Sequence, residues 1–410
     1  MQPLAASKIL IVDGVEDDPL TRARAERLQR GITADEVRHV TDEQLDEIVA
    51  GELSGLPRHG MDADIRPVVV LNRFRFDDDE QVRARRVEAF GALTRSKFNG
   101  YGGFEWRDSG SAAWRAKTNL VCQPAWQLHT IVGCHFRCAY CNLGWFVNVM
   151  LNMEAFVDRL DDEIATHCPT QTLFQYDNFT DTVCFEPEYG GAKLLVDYFA
   201  RRPGQALELY VGKSDRVDFL LDWDHRGHTV CCWSLSGATQ SRRFEHASAT
   251  MEQRIASMAK CQAAGYPVRV RFSPVIPVAG WHDENRRMID ELFAAVTPDV
   301  ITIETIRFLD FDAMAASFDL SLLDADFLDA MRAAAGNNHD PGCEVPDETR
   351  AEVYEFLFAE LDRVSPTTPV AFCREQRDMW DRFAETFARH GQKPDAYLCN
   401  CGPTSIPAGV

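Results

Sequence analysis

The chain has 410 residues, 45% of them hydrophobic and 26% charged, which excludes disorder as the main state and supplies enough apolar mass for a large core. Its 43 Lys and Arg stand against 63 Asp and Glu, a formal net charge of −20 that makes nucleic acid a poor default partner unless basic side chains gather on one face. No run approaches the roughly 20 apolar residues of a membrane span, and the start, MQPLAASKILIVDG, does not read as a secretory signal, so a cytoplasmic protein without membrane contact is expected.

KILIVDG at 7–13 reads as a buried strand, followed by a charged helical stretch that stops at Gly31. The acidic segment after it has a helical pattern, and RPVVVL at 66–71 reads as a second strand. From Ser96 to Thr118 the chain is rich in Gly, Ser and aromatics without a clear period, which predicts a long ordered loop and a domain boundary near residue 120. From Gln127 six apolar strands, QLHTIVG, TLFQYD, ALELYVG, TVCCWSLS, PVRVRFSPVIP and VITIETIRF, alternate with five helical stretches. Among the helical stretches are SDRVDFLLDW and TMEQRIASMAKCQAAG, with Ser214 and Thr250 as candidate caps. This alternation requires right-handed crossovers and a parallel sheet. Six units are too few for an eight-stranded barrel, so an α/β fold with an open, partial (β/α)6 barrel is expected over 121–310. Before it lies an α/β region at 1–120, and after it a mostly helical extension at 311–410, with the loop GNNHDPGCEVPD and the tail LCNCGPTSIPAGV.

Thirteen cysteines in a cytoplasmic chain point to metal or redox chemistry rather than a disulfide framework. Directly after the first strand of the alternating region comes CHFRCAYC, with Cys134, Cys138 and Cys141 at intervals of four and three. One short loop with these spacings can set three thiolates on three corners of an iron–sulfur cube, leaving one iron open. The alternatives are a structural zinc shared with another cysteine and a buried loop that holds no metal.

This motif, with Tyr140 just before its last cysteine, resembles the signature of the radical S-adenosylmethionine superfamily. The resemblance implies a 4Fe-4S cluster on Cys134, Cys138 and Cys141 whose open iron chelates S-adenosylmethionine, and a 5′-deoxyadenosyl radical released on one-electron reduction. It narrows to spore photoproduct lyase and its relatives through NLVCQPAWQLHTIVGC, YVGKSDRVDFLLDWDHRGHT, FEHASATMEQRIASMAKCQAAGYPV and FSPVIPVAGW, and extends from near residue 8 to near residue 308. That likeness implies contacts to the cofactor from Tyr140, Lys213, Ser234 and Ser236, with Glu245 and Arg254 in the following run. It also implies that Cys184 returns a hydrogen atom to the product radical. Read from the residues alone, Lys213 is equally a solvated helix-start lysine, Glu245 and Arg254 an ion pair, and Cys184 a small core residue.

Two features depart from the family: Asn142 stands where it has a tyrosine, and the last hundred residues carry Cys343, Cys373, Cys399 and Cys401. Cys373, Cys399 and Cys401 are candidates for a second metal or cluster, for a redox pair, or for plain free thiols, while Cys122, Cys168 and Cys261 read as packing residues. His129 and His135 flank the cysteine loop as possible tuners of a cluster. Tyr101, Phe104, Trp106 and Trp114 fit either a substrate lid or core packing. The expected function is that of a radical enzyme acting on a small metabolite or nucleotide, supplied with electrons by a donor such as flavodoxin or ferredoxin, with DNA not the expected partner. The alternatives are repair of thymine dimers in DNA by a lyase of the spore photoproduct type, and a non-catalytic iron–sulfur or zinc sensor.

Overall fold

The computed structural model describes residues 1–56, 64–337, 342–407 and 410. Part of the loop GNNHDPGCEVPD and two residues of the tail lie outside the described residues. In chain order the strands are β1 (Leu4–Val12), β2 (Ile32–Val40), β3 (Val68–Asn72), β4 (Phe104–Arg107), β5 (Leu120–Val121), β6 (Ala125–Leu128), β7 (Ile131–Val132), β8 (Arg137–Cys138) and β9 (Phe146–Met150). They continue with β10 (Leu173–Tyr176), β11 (Ala206–Gly212), β12 (Thr229–Ser234), β13 (Glu245–His246), β14 (Val268–Val275), β15 (Val300–Thr305), β16 (Val370–Phe372) and β17 (Glu375–Gln376).

The six expected strands all form and pair in parallel in the order β15-β14-β12-β11-β10-β6. Helices cover the sheet, and every residue of β10 and of β12 is buried, which is why these strands read as mainly apolar. β16 extends the sheet in parallel at one edge and β4 extends it antiparallel at the other. Thr250 caps the helix Met251–Ala263 as expected, in a capping box with Gln253.

The expected boundary near residue 120 is crossed in both directions. β4, from the stretch read as a loop, belongs to the large sheet, and the helix Ala112–Thr118 follows it. β9, from beyond the boundary, belongs to the N-terminal sheet, whose order is β2-β1-β3-β9-β7. β2 occupies part of the segment read as helical; it is an edge strand with a largely exposed, polar face, so no apolar run marks it. SDRVDFLLDW contains only the short 3-10 turn Asp218–Leu220, and Ser214 accepts from the Arg216 amide within that connection instead of capping an α-helix. The extension beyond 311 is not only helical, because β16 completes the sheet.

The tail is part of the same core. Arg269 donates to the carbonyl oxygen of Asn400 at 2.8 Å, the Asn400 amide donates to Val270 O at 3.1 Å, and Pro403 O accepts from the Leu173 amide at 3.0 Å. Among the described residues no helix is long and apolar enough to cross a membrane.

Phe372 of β16 is 1% exposed and packs against the rings of Tyr354 at 4.3 Å, Phe387 at 4.8 Å and Trp380 at 5.5 Å. Phe372→Ala is expected to cost about 3–5 kcal/mol in urea unfolding, because the edge strand and the C-terminal helices share this ring.

Candidate metal centre

The cysteine loop is set by backbone geometry on both sides. Gly133 has φ +109, and a Cβ there would lie 1.9 Å from the Phe146 carbonyl oxygen, so only glycine lets β7 turn into the loop against β9. Inside the loop the Cys134 amide donates to Leu143 O at 2.8 Å and the Cys141 amide to Cys138 O at 2.9 Å. β8 then pairs antiparallel with β13, opposing Cys138 to Glu245.

Cys134, Cys138 and Cys141 share a cavity of about 100 Å³ with Tyr140, Asp181 and Lys213. Burial pushes all three thiols up, Cys138 to about 12, so thiolates here need a cationic partner. Among the described residues no three His, Cys, Asp or Glu side chains converge on one metal ion, and this includes the triad. Three soft sulfurs lining one cavity are the donor set of an iron–sulfur cube with one open corner.

Glu245 organises the polar side of the site. Its carboxylate accepts from Tyr140 Oη at 2.7 Å, Ser236 Oγ at 3.0 Å and Gln240 Nε2 at 3.0 Å, and pairs with the Arg254 guanidinium. Burial alone would raise its pKa, yet Arg254 and Lys213 hold the carboxyl down at about 2. Lys213 is shifted the other way: burial opposes its charge, and Glu245 and Tyr210 more than restore it. Its Nζ lies 5.8 Å from the Tyr140 ring centroid, facing the cavity rather than bulk solvent. Ser234 is one step removed, bonded through Oγ to Tyr210 Oη at 2.8 Å, and Ser236 faces Glu245 instead of the cavity.

Cys184 is 1% exposed and lies behind this cavity, its thiol donating to Asp181 O at 3.1 Å. Asn142 is exposed and takes no part in the lining. Asp181, which no sequence pattern singled out, lines the cavity, accepts from the amides of Lys213 at 2.8 Å and Cys184 at 3.1 Å, and is pushed up to about 7 by burial. His129 contacts Asp177 and stacks on Phe179 at 4.2 Å. His135 is pushed down to about 4 by burial and lines none of the cavities.

Two larger cavities adjoin. One, of about 360 Å³, is lined by Arg83, Arg95, Lys97, Tyr101, Phe104 and Phe179, and Lys97 Nζ sits 4.7 Å over the Phe179 ring. The other, of about 340 Å³, includes Trp106 and Trp114. Asn178 lines both this cavity and that of the triad, and Phe179 lines both large ones. The four aromatics thus line cavities rather than a single lid.

Arg254→Met is expected to cost about 3–5 kcal/mol in urea unfolding at neutral pH, because it strands the buried Glu245 charge. The loss is expected to shrink in Arg254→Met/Glu245→Gln, where neither charge of this pair remains to be buried.

Residues 124–314 match the family model described as spore photoproduct lyase. The spore photoproduct lyase of Bacillus subtilis (strain 168) is 28% identical over 184 residues, covering 43% of this chain and 54% of the relative. That of Clostridium acetobutylicum is 24% identical over 177 residues, covering 41% and 52%. The chain spans about half the length of the curated relatives it matches. In fold, it is similar to a solved spore photoproduct lyase complexed with dinucleoside spore photoproduct, with a TM-score of 0.62 at 18% identity over 91% of this chain and 100% of that one. A mutant form with bound AdoMet and dinucleoside spore photoproduct gives 0.63 at 16% identity over 90% and 99%. Through this central region the chain is similar in sequence to spore photoproduct lyases, and over about nine tenths of its length it is similar to them in fold.

Proposed function

We propose that the chain is a radical lyase of the spore photoproduct type, with a 4Fe-4S cluster on Cys134, Cys138 and Cys141 and S-adenosylmethionine against Tyr140 and Lys213. The observation that carries this reading is the joining of the three thiols, Lys213 and Asp181 in one cavity. When bound, cluster and S-adenosylmethionine together supply a 5′-deoxyadenosyl radical on reduction by an external donor such as flavodoxin or ferredoxin. Lys213 offers a positive charge to a carboxylate, and the Glu245 network fixes the Tyr140 ring. Ser234, Ser236 and Arg254 act through Tyr210 and Glu245, so their part is positioning. Cys184 is the hydrogen-atom donor in this reading, reached through the wall formed by Asp181. The large sheet is read as a partial barrel, supported by the β5–β17 ladder, which ties together segments adjoining its two edges.

The expected small-metabolite substrate gives way to the dimer-repair alternative, because the curated relatives are all spore photoproduct lyases. The cavity next to the triad supports this. Its Arg83 and Arg95 suit phosphate, Lys97 being paired with Glu105 of the same lining, and its aromatic rings suit the faces of bases, so the local chemistry differs from the acidic whole. DNA therefore enters the reading as the source of the substrate, against the expectation that it is not a partner.

Anaerobically reconstituted, dithionite-reduced protein is expected to convert dinucleoside spore photoproduct to thymidine in the presence of S-adenosylmethionine, as followed by chromatography. Formation of 5′-deoxyadenosine with the lesion untouched would remove the substrate but keep the radical chemistry. Loss of all cofactor cleavage only in Cys138→Ala would tie that chemistry to the triad, whereas full activity in this variant would end the reading.

Cys184→Ala is expected to leave cofactor cleavage within about twofold of wild type and to divert the product radical to side products. An unchanged product distribution would exclude Cys184 as the donor.

A further inference from the structure

Four cysteines outside the 134–141 loop gather where the edges of the large sheet approach each other. Cys122 stands between β5 and β6, Cys373 directly follows β16, and Cys399 and Cys401 lie on the tail. The pairing of β5 with β17 and the bonds from Arg269 and Asn400 fix these segments without using a thiol of the four. Cys122, Cys373 and Cys401 line the cavity of about 340 Å³ together with Arg107, Arg271 and Arg374. Cys399 closes the group from the tail, with Gln123 Nε2 at 3.7 Å from its sulfur. Arg107 Nη1 donates to Cys401 Sγ at 3.0 Å. The Nε atoms of Arg271 and Arg374 are buried without a hydrogen-bond partner.

We propose that Cys122, Cys373, Cys399 and Cys401 ligate a second iron–sulfur cluster, of the 4Fe-4S class with a protein thiolate on every iron. The donor set is four soft sulfurs drawn from three chain segments. An oxidised cubane with four thiolates carries about two negative charges, and three guanidiniums surround this cavity to offset them. The orphan Nε–H groups of Arg271 and Arg374 supply the donors that cluster sulfurs accept. Cys122, read from sequence as a packing residue, is the fourth ligand; 251 residues separate it from Cys373, its nearest partner in the chain.

The proposal uses no residue of the first site, and the two are tested separately by counting iron and sulfide in anaerobically reconstituted full-length protein. Wild type is expected to hold about eight irons per chain, and the Cys134→Ala/Cys138→Ala/Cys141→Ala variant about four. The cluster left in that variant is expected to give a paramagnetic signal on dithionite reduction that S-adenosylmethionine does not alter. Cys122→Ser/Cys399→Ser is expected to keep about four irons, with a signal that S-adenosylmethionine does shift. About four irons in wild type, all lost with the triad, would overturn the proposal, as would zinc in place of iron. Iron retained in the triad variant supports the second cluster even if the first-site reading fails, and the wild-type count decides the matter if a tail variant does not fold.

Discussion

A single buried carboxylate holds the chemistry of this protein to its scaffold. Glu245 lies beside Cys138 in the β8–β13 ladder while its side chain holds Tyr140, Ser236, Gln240 and Arg254. The cysteine loop is otherwise a turn with little regular structure, and two residues of pairing could not fix it alone. Charge does what the short ladder cannot. A fully buried anion is tolerable only where every oxygen is satisfied and a cation is in contact, so displacing the loop would take the Tyr140 hydroxyl from a carboxylate that has no water to replace it.

The arrangement of the large sheet explains why three cavities meet at Asn178 and Phe179. These residues follow β10 at its carboxyl end, where parallel sheets leave crevices between the diverging loops. The triad, the basic and aromatic cavity and the tail cysteines therefore lie side by side although they come from distant parts of the chain. Net charge is a poor guide to such a place. The acidic excess is a property of the whole chain, while Arg83, Arg95 and Lys97 are brought together by folding.

The six central strands were legible because most of their residues are buried, so apolar side chains dominate them, as in Val230, Cys231, Cys232 and Trp233 of β12. The triad was legible because its spacing is local. β2 was not, since an edge strand with Glu36 and Arg38 exposed carries no apolar period, and β9 was hidden behind the loop whose far side it supports. Asp181 escaped because a single acid in TDTVC has no pattern; only its burial against Lys213 and Cys184 sets it apart. Cys122 and the tail thiols become neighbours through the β5–β17 pairing, a contact between segments that no local periodicity announces. The domain boundary failed for a related reason: β4 and β9 each cross to the other sheet, so the two sheets share one chain path instead of dividing it.

That exchange bears on how the chain is made. The N-terminal sheet lacks two of its strands until Phe146–Met150 has left the ribosome, and the large sheet lacks an edge until Val370–Phe372 has done so. The Pro403 carbonyl that receives the Leu173 amide emerges last of all. Vectorial synthesis thus leaves apolar strands waiting for partners over most of translation, and a fragment ending near residue 310 would leave the start of β10 and the flank of β15 bare.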